Sequence, residues 1–290
     1  MFDKQTLLLT SNGKPVKVHL VSAGSVAVKT KFRDARRKGW LAMLDFILDK
    51  HFTEWLPIWV MIIEHPEGIF VIDTGEITDV NKTDYFKSSG LFAKWFDTSQ
   101  FKFSITRDEE IDMQLNALGI KTDQVKTVVL IHLHFDHTDG VKYFPSAEII
   151  VNKHEWEKPF GDLPKLYPSW FSPTLVELSE AYDMFSNVKY LTKAKDIMLV
   201  HTAGHTYGHC SVLLRTNEAD IFFAADVSYS QQQLLDEKFP GNYADNNLAF
   251  KTYRTIKAYS KDHPLVFIPS HEAAAANRFK KLITLTISSS

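Results

Sequence analysis

A single cysteine, Cys210, in 290 residues excludes an internal disulfide, and the absence of a CxxC pair excludes both a thiolate zinc site and a dithiol redox centre. Cys210 reads as a small buried filler. Basic residues are not in excess either. With 33 Lys and Arg against 35 Asp and Glu, the formal net charge is -2, so no positive field is available for nucleic acid or an anionic membrane. Long hydrophobic runs are missing too. The apolar stretch at 7–9 gives way at once to SNGKPVK, too short for a secretory h-region or for a spanning helix. No membrane insertion and no nucleic-acid partner are expected, and a soluble cytoplasmic protein is. Short repeats, low-complexity linkers and composition shifts are also lacking, so the expectation is one domain over 1–290. That length buries an ample core without disulfides.

What is present is a series of apolar strands. VKVHLV, IWVMIIE at 58–64 and GIFVID at 68–73 read as strands, the last two joined by His65-Pro66-Glu67 into a hairpin. Between the first two, residues 31–56 are compatible with a helix whose Trp40, Leu41, Leu44, Ile47, Leu48, Phe52 and Trp55 recur near helical spacing. That aromatic stripe either packs on the core or lines a substrate pocket or a dimer contact. Thr106 with Glu109 predicts a capping box ahead of a helix that carries Ile111, Leu115 and Leu118 on one face and stops at Gly119. TVVLI at 127–131 is a continuous run of the kind buried on both faces, and EIIV at 148–151 follows it. Residues 158–173, rich in proline and aromatics without a period, predict an irregular loop. Further strands are expected at 197–200, 210–215, 220–225 and 265–269, and helices at 245–260 and 271–281. The whole reads as two β-rich halves with helices outside.

The chemistry gathers at strand ends. His132, His134, Asp136 and His137 follow the buried strand within six residues, and imidazole with carboxylate is a zinc-competent donor set. His205, Asp226 and His271 each lie just beyond another apolar strand, the place where layered α/β proteins assemble sites. Together they suggest two neighbouring divalent ions.

The HxHxDH run, the GH at 204–205, the Asp after an apolar strand, the SH at 270–271 and the early DTG at 73–75 resemble the metallo-β-lactamase superfamily. The resemblance runs in order from 58 to 272. It implies an α+β fold, the four-layer αβ/βα sandwich of two mixed sheets with the metals at one edge. It also implies that His132, His134 and His205 hold one ion, that Asp136, His137 and His271 hold the other, and that Asp226 bridges them. Two divalent ions against two aspartates and a bridging hydroxide leave a net positive charge suited to an anionic transition state. Zinc is the first expectation for both ions, although such donors also accept cobalt, manganese or iron.

Within that superfamily, Phe135 inside HLHFDH and Tyr229, three residues after Asp226, resemble the N-acyl homoserine lactonases. The resemblance implies quorum-quenching chemistry, in which a metal-bridging hydroxide opens a small-molecule lactone. Tyr229 would polarise the lactone and Asp136 would protonate the leaving alkoxide; both are the expected catalytic side chains. Opening an ester ring independently requires a nucleophile, an electrophile and an acid, and all three roles can be filled. For a fatty acyl tail, Trp40, Phe46, Phe52, Trp170 and Phe171 are the expected apolar trough beside Phe135 and Tyr229, with 23–57 the family-variable segment. Another ester, thioester or phosphotriester hydrolase would share the metals and differ in the pocket. A metal-binding scaffold without catalysis would lack ligands that are all present here. A homodimer is the family habit.

Overall fold

The computed structural model describes residues 2–35, 37, 40–89, 91–241 and 243–287. Fourteen strands are found among them: β1 Gln5–Ser11, β2 Lys14–Val28, β3 Leu56–His65, β4 Gly68–Ile72, β5 Phe101–Ser104, β6 Val125–Leu130 and β7 Glu148–Asn152, followed by β8 Thr174–Val176, β9 Glu180–Tyr182, β10 Phe185–Tyr190, β11 Ile197–His201, β12 Cys210–Leu214, β13 Asp220–Ala225 and β14 Leu265–Pro269. One sheet runs β1-β2-β3-β4-β6-β7-β8, with β5 paired to β2; the other runs β14-β13-β12-β11-β10-β9. Both are mixed. β4, β6, β7 and β8 pair in parallel and β13 pairs in parallel with β14, while the remaining pairings are antiparallel.

Strand alternation builds the layers. On β13, Ile221, Phe223 and Ala225 enter a core shared with Trp59, Met61, Ile72, Val129 and Ile131 of the first sheet. Phe222 and Ala224, pointing the other way, pack with Tyr253, Ile256 and Tyr259 of the helix Asn246–Asp262. On the far face of the first sheet, Val60, Ile62, Val71 and Val128 pack with Ile111 and Leu115 of the helix Ile111–Asn116. The order is therefore helix, sheet, sheet, helix, the four-layer α+β sandwich expected from the motifs. None of the described helices is long and apolar enough to cross a membrane.

The hairpin, the capping box and the later strands stand where the sequence puts them, and the long helix opens under the cap of Asp245, whose carboxylate accepts the amides of Asn247 and Leu248. The expectation of one helix over 31–56 is corrected. Two short helices, Thr30–Arg33 and Trp40–Ile47, occupy it, because the chain folds back on itself: Asp49 accepts the Lys31 amide at 2.8 Å, and Lys29 bridges to Phe52. Strand β1 was hidden by its position at a sheet edge, where alternate side chains face water and Leu8 is 71% exposed. The signal was Asn12-Gly13, both at positive φ, a hairpin turn that returns the chain into β2.

Candidate metal centre

The ligand-bearing positions converge because four strands end at one edge. β13 and β14 run parallel, so Asp226 and His271 emerge side by side, and the Ser270 amide bonds Ala225 O at 3.0 Å. β11 and β12 are antiparallel, which returns the loop carrying His205 to that same end. The first sheet supplies His132 beyond β6, tied across by the Cys210 amide on Ile131 O at 2.9 Å. A short helix, Phe135–Thr138, then turns Asp136 and His137 back toward the centre.

All seven predicted ligands meet there. Donor atoms of His132, His134, His205 and Asp226 lie within 4.8 Å of one another, as do those of Asp136, His137 and His271. Asp226 divides its two oxygens between the groups. Oδ2 faces Nε2 of His205 at 3.3 Å and of His132 at 3.9 Å, while Oδ1 faces Nε2 of His271 at 3.3 Å and of His137 at 3.4 Å. Asp136 Oδ2 completes the second group, 3.5 Å from His271 Nε2 and 3.8 Å from His137 Nε2.

The outward ring atoms fix which nitrogens turn inward. His134 Nε2 donates to Phe160 O at 2.8 Å, leaving Nδ1 for the centre, and His271 Nδ1 donates to Pro57 O at 2.9 Å, leaving Nε2. His137 Nδ1 donates to Asp73 Oδ2 at 2.7 Å, and the other oxygen of Asp73 accepts the Ile131 amide at 3.0 Å. The DTG turn thus orients His137, with Asp73 held at φ 60 and Gly75 so close to Ala23 that a Cβ there would lie 2.1 Å from the alanine Cβ. His209 accepts the Asp226 amide on Nε2 at 3.3 Å; Nδ1 therefore carries the proton, which goes to Thr202. Burial drives its pKa down to about 3, so it stays neutral and positions the carboxylate. Glu155 clips both His-bearing loops, accepting from Leu133 N at 3.1 Å, Thr206 Oγ1 at 2.6 Å and Gly208 N at 3.1 Å. Asp73 was visible in the sequence only as part of a turn, and Glu155 had no local signal.

Two buried atoms, His137 Nε2 and Asp226 Oδ1, point into the centre without a hydrogen bond. A cation between them would satisfy both, and the nitrogen and carboxylate donors suit a divalent ion. Electrostatics separates the groups. Burial and neighbouring imidazoles hold His132 and His205 well below their ordinary pKa, and burial also lowers His134. Burial acts downward on His137 and His271 as well, but the carboxylates facing them outweigh it, those of Asp136, Asp226 and Asp73 on His137 and those of Asp226 and Asp136 on His271, and both stand above the ordinary value. The first trio is pushed toward the neutral form that a metal takes; the second pair is pushed toward the protonated form, against which a metal competes. Zinc binding to the stripped protein near neutral pH is accordingly expected to release protons, read as a calorimetric heat that changes with the buffer's ionisation enthalpy. A heat independent of buffer would contradict it. Asp73→Asn is expected to weaken zinc binding by about 10-fold to 100-fold in chelator competition, the usual range for a carboxylate behind a ligating His.

A cavity of about 980 Å³ opens on the centre, its walls including Val28, Phe32, Phe46, Phe96, Phe101 and Phe103. Asp136, Asp226, His134, His205 and His271 form its polar end. Tyr229 lies at the junction, its ring stacked on that of His271 at 5.5 Å. Phe135 lines the cavity and packs edge-on against Phe86 and Phe103 at 5.4 Å. Of the expected trough, Phe46 is in place; the side chain of Trp40 lies outside the described residues. Phe52, Trp170 and Phe171 are not in the cavity wall. Phe52 sits beneath the ammonium groups of Lys29 and Lys102, Phe171 packs on Tyr167 and Trp156, and Trp170 is 40% exposed. The loop at 158–173 instead contributes Phe160, Gly161, Asp162 and Leu163. Tyr243, which carried no sequence signal, lines the cavity beside His205 and donates to Val227 O.

The model of the metallo-beta-lactamase superfamily matches residues 53–271. The chain belongs to that superfamily. It is 26% identical over 237 residues to the N-acyl homoserine lactonase AttM of Agrobacterium fabrum, covering 78% of this chain and 86% of AttM. To the lactonase AiiA of Bacillus thuringiensis subsp. kurstaki it is 26% identical over 215 residues, covering 73% and 80%. Among solved structures, an N-acyl homoserine lactone hydrolase with N-hexanoyl-L-homoserine at its catalytic metal centre superposes with a TM-score of 0.71 at 20% identity, over 91% of this chain and 94% of that one. AidC, a dizinc quorum-quenching lactonase, gives 0.61 at 16% identity, over 93% and 90%. These structural likenesses establish the superfamily fold, and the resemblance read from HxHxDH, GH, Asp226 and SH is borne out.

Proposed function

We propose that this metal-dependent ester hydrolase opens the lactone ring of N-acyl homoserine lactones, with two zinc ions in the His and Asp cluster and the chain acting as one hydrolase domain. The observation that carries the reading is the placement of Tyr229: it joins a polar end formed by both donor groups to a cavity walled by Phe32, Phe46, Phe96, Phe101 and Phe103. The names of AttM and AiiA point the same way. The ions, when bound, would make hydroxide available near neutral pH and draw charge from the ester carbonyl.

The chain's own residues supply the rest. Asp226, facing both donor groups, holds them in one geometry. Tyr229 offers its hydroxyl to the lactone; burial, with the charges of Asp226 and Asp136, holds the phenol well above its ordinary pKa, so it remains a hydrogen-bond donor. Asp136, at the polar end, takes the proton of the attacking hydroxide and hands it to the leaving alkoxide. The phenylalanines exclude water and take the acyl tail.

The test is a pH-drift assay on zinc-loaded protein with acyl homoserine lactones of several tail lengths, beside thioester, phosphotriester and β-lactam controls. Acid release from the lactones well above the controls is expected. Silence on every lactone with efficient turnover of a control would overturn the reading.

A further inference from the structure

One cavity residue has no part in the chemistry above. Asp97, on the helix Leu91–Gln100, lines the cavity among Phe96, Phe101, Phe103 and Phe46 and is only 9% exposed. Its carboxyl makes no hydrogen bond or ion pair with the described residues, and burial, then the charge of Asp136, pushes it up to about 7. A buried polar group without a partner costs stability, and an apolar side chain at 97 would line a purely alkyl pocket better. The carboxyl lines a cavity in which a bound ligand can pair with it.

Resting on the lactonase reading, we propose that Asp97 is a specificity-determining residue that hydrogen-bonds a hydroxyl on the acyl chain, so that the cavity favours β-hydroxyacyl over plain acyl lactones. Two properties select this group. A hydroxyl both donates and accepts, so it pairs with the carboxyl whether or not that is ionised, whereas a ketone pairs only with the protonated form. Asp97 shares the cavity with Asp136 and lies near enough to feel its charge, so an acyl chain running from the metal end through the cavity can bring a hydroxyl to it. A plain alkyl chain would seal the carboxyl from water without a partner and would bind less well.

The experiment compares kcat/KM of zinc-loaded wild-type protein and Asp97→Leu on β-hydroxyacyl, β-oxoacyl and plain acyl homoserine lactones of one chain length. Wild-type protein is expected to favour the β-hydroxy compound over the plain one by about 10-fold, the size of one good hydrogen bond to a carboxyl, and Asp97→Leu to lose that preference. Asp97→Asn, which still donates and accepts, should retain most of it. Asp97→Ala repeats the test without added bulk if the leucine variant does not fold. An unchanged preference in Asp97→Leu or Asp97→Ala, or a wild-type preference for the β-oxo compound, would overturn the assignment. If wild-type protein opens none of the three, the lactonase reading fails, and calorimetry with the matching acyl amides still decides Asp97. A tighter β-hydroxyacyl amide in wild-type but not Asp97→Leu supports it, and equal affinities reject it.

Discussion

Asp226→Asn protein, stripped and reloaded with zinc, is expected to retain at most about one ion per chain and to open lactones at least ~10³-fold more slowly. The magnitude follows from its position. One oxygen of Asp226 faces His132 and His205 and the other faces His137 and His271, so its single carboxylate serves both donor groups. Asparagine keeps the shape but gives up the charge, and turns an NH₂ donor toward one group where a cation should sit. Two imidazoles, His137 and His271, stand above their ordinary pKa partly because Asp226 is ionised beside them. The substitution should therefore also bring both back toward neutrality, visible as imidazole resonances that titrate at lower pH in the metal-free variant. Zinc content by atomic absorption and rate by pH drift decide the matter together. A variant that loads two ions and retains its rate would remove Asp226 from the shared position.

Tyr229→Phe is expected to do the opposite to the metal and less to the rate. Zinc content should match the parent chain, because the ring, stacked on His271, is kept and the phenol is no part of either donor group. The rate on a lactone should fall by about 10-fold to 100-fold, the loss of one well-placed transition-state hydrogen bond. Since the phenol stands well above its ordinary pKa, the pH profile of the surviving activity should keep its shape. Metal loss equal to that of Asp226→Asn would show that Tyr229 supports the cluster and not the substrate.

How legible these features were depends on how local their causes are. His132, His134, Asp136 and His137 could be read because four donors follow one buried strand, and because β6, β11, β13 and β14 are apolar runs whose ends are visible in the sequence. The cavity wall was not legible in the same way. Phe101 and Phe103 reach it only because β5 pairs with β2, a contact between distant stretches of chain, and neither strand pattern nor composition signals that pairing. Phe52, Trp170 and Phe171 look like the same kind of residue in sequence, yet cations cover the first, other aromatics the last, and Trp170 faces water. Asp97 was invisible for a related reason: its helix went unread, and a lone aspartate carries no sign of the apolar wall it will enter. Trp59 shows the converse, a residue legible only as part of a strand whose indole also donates to Glu272 O at 2.9 Å and so braces the turn that presents His271.

The division of labour between strand ends and connecting segments has an evolutionary meaning. The donors hang on strands whose other residues form the shared core, while most of the cavity's aromatic wall comes from β5 and from the loops and helices around Phe32, Phe46, Phe96, Phe160 and Phe239, stretches of chain that hold no donor, with Phe135 and Tyr229 beside the donors as the exceptions. Mutation can reshape those segments without altering the reaction centre, and can alter neither the core strands nor their ends without losing it. Substrate range in this chain is therefore free to drift while its chemistry is held still, and descendants of one ancestor could diverge in what they bind long before they diverge in what they do.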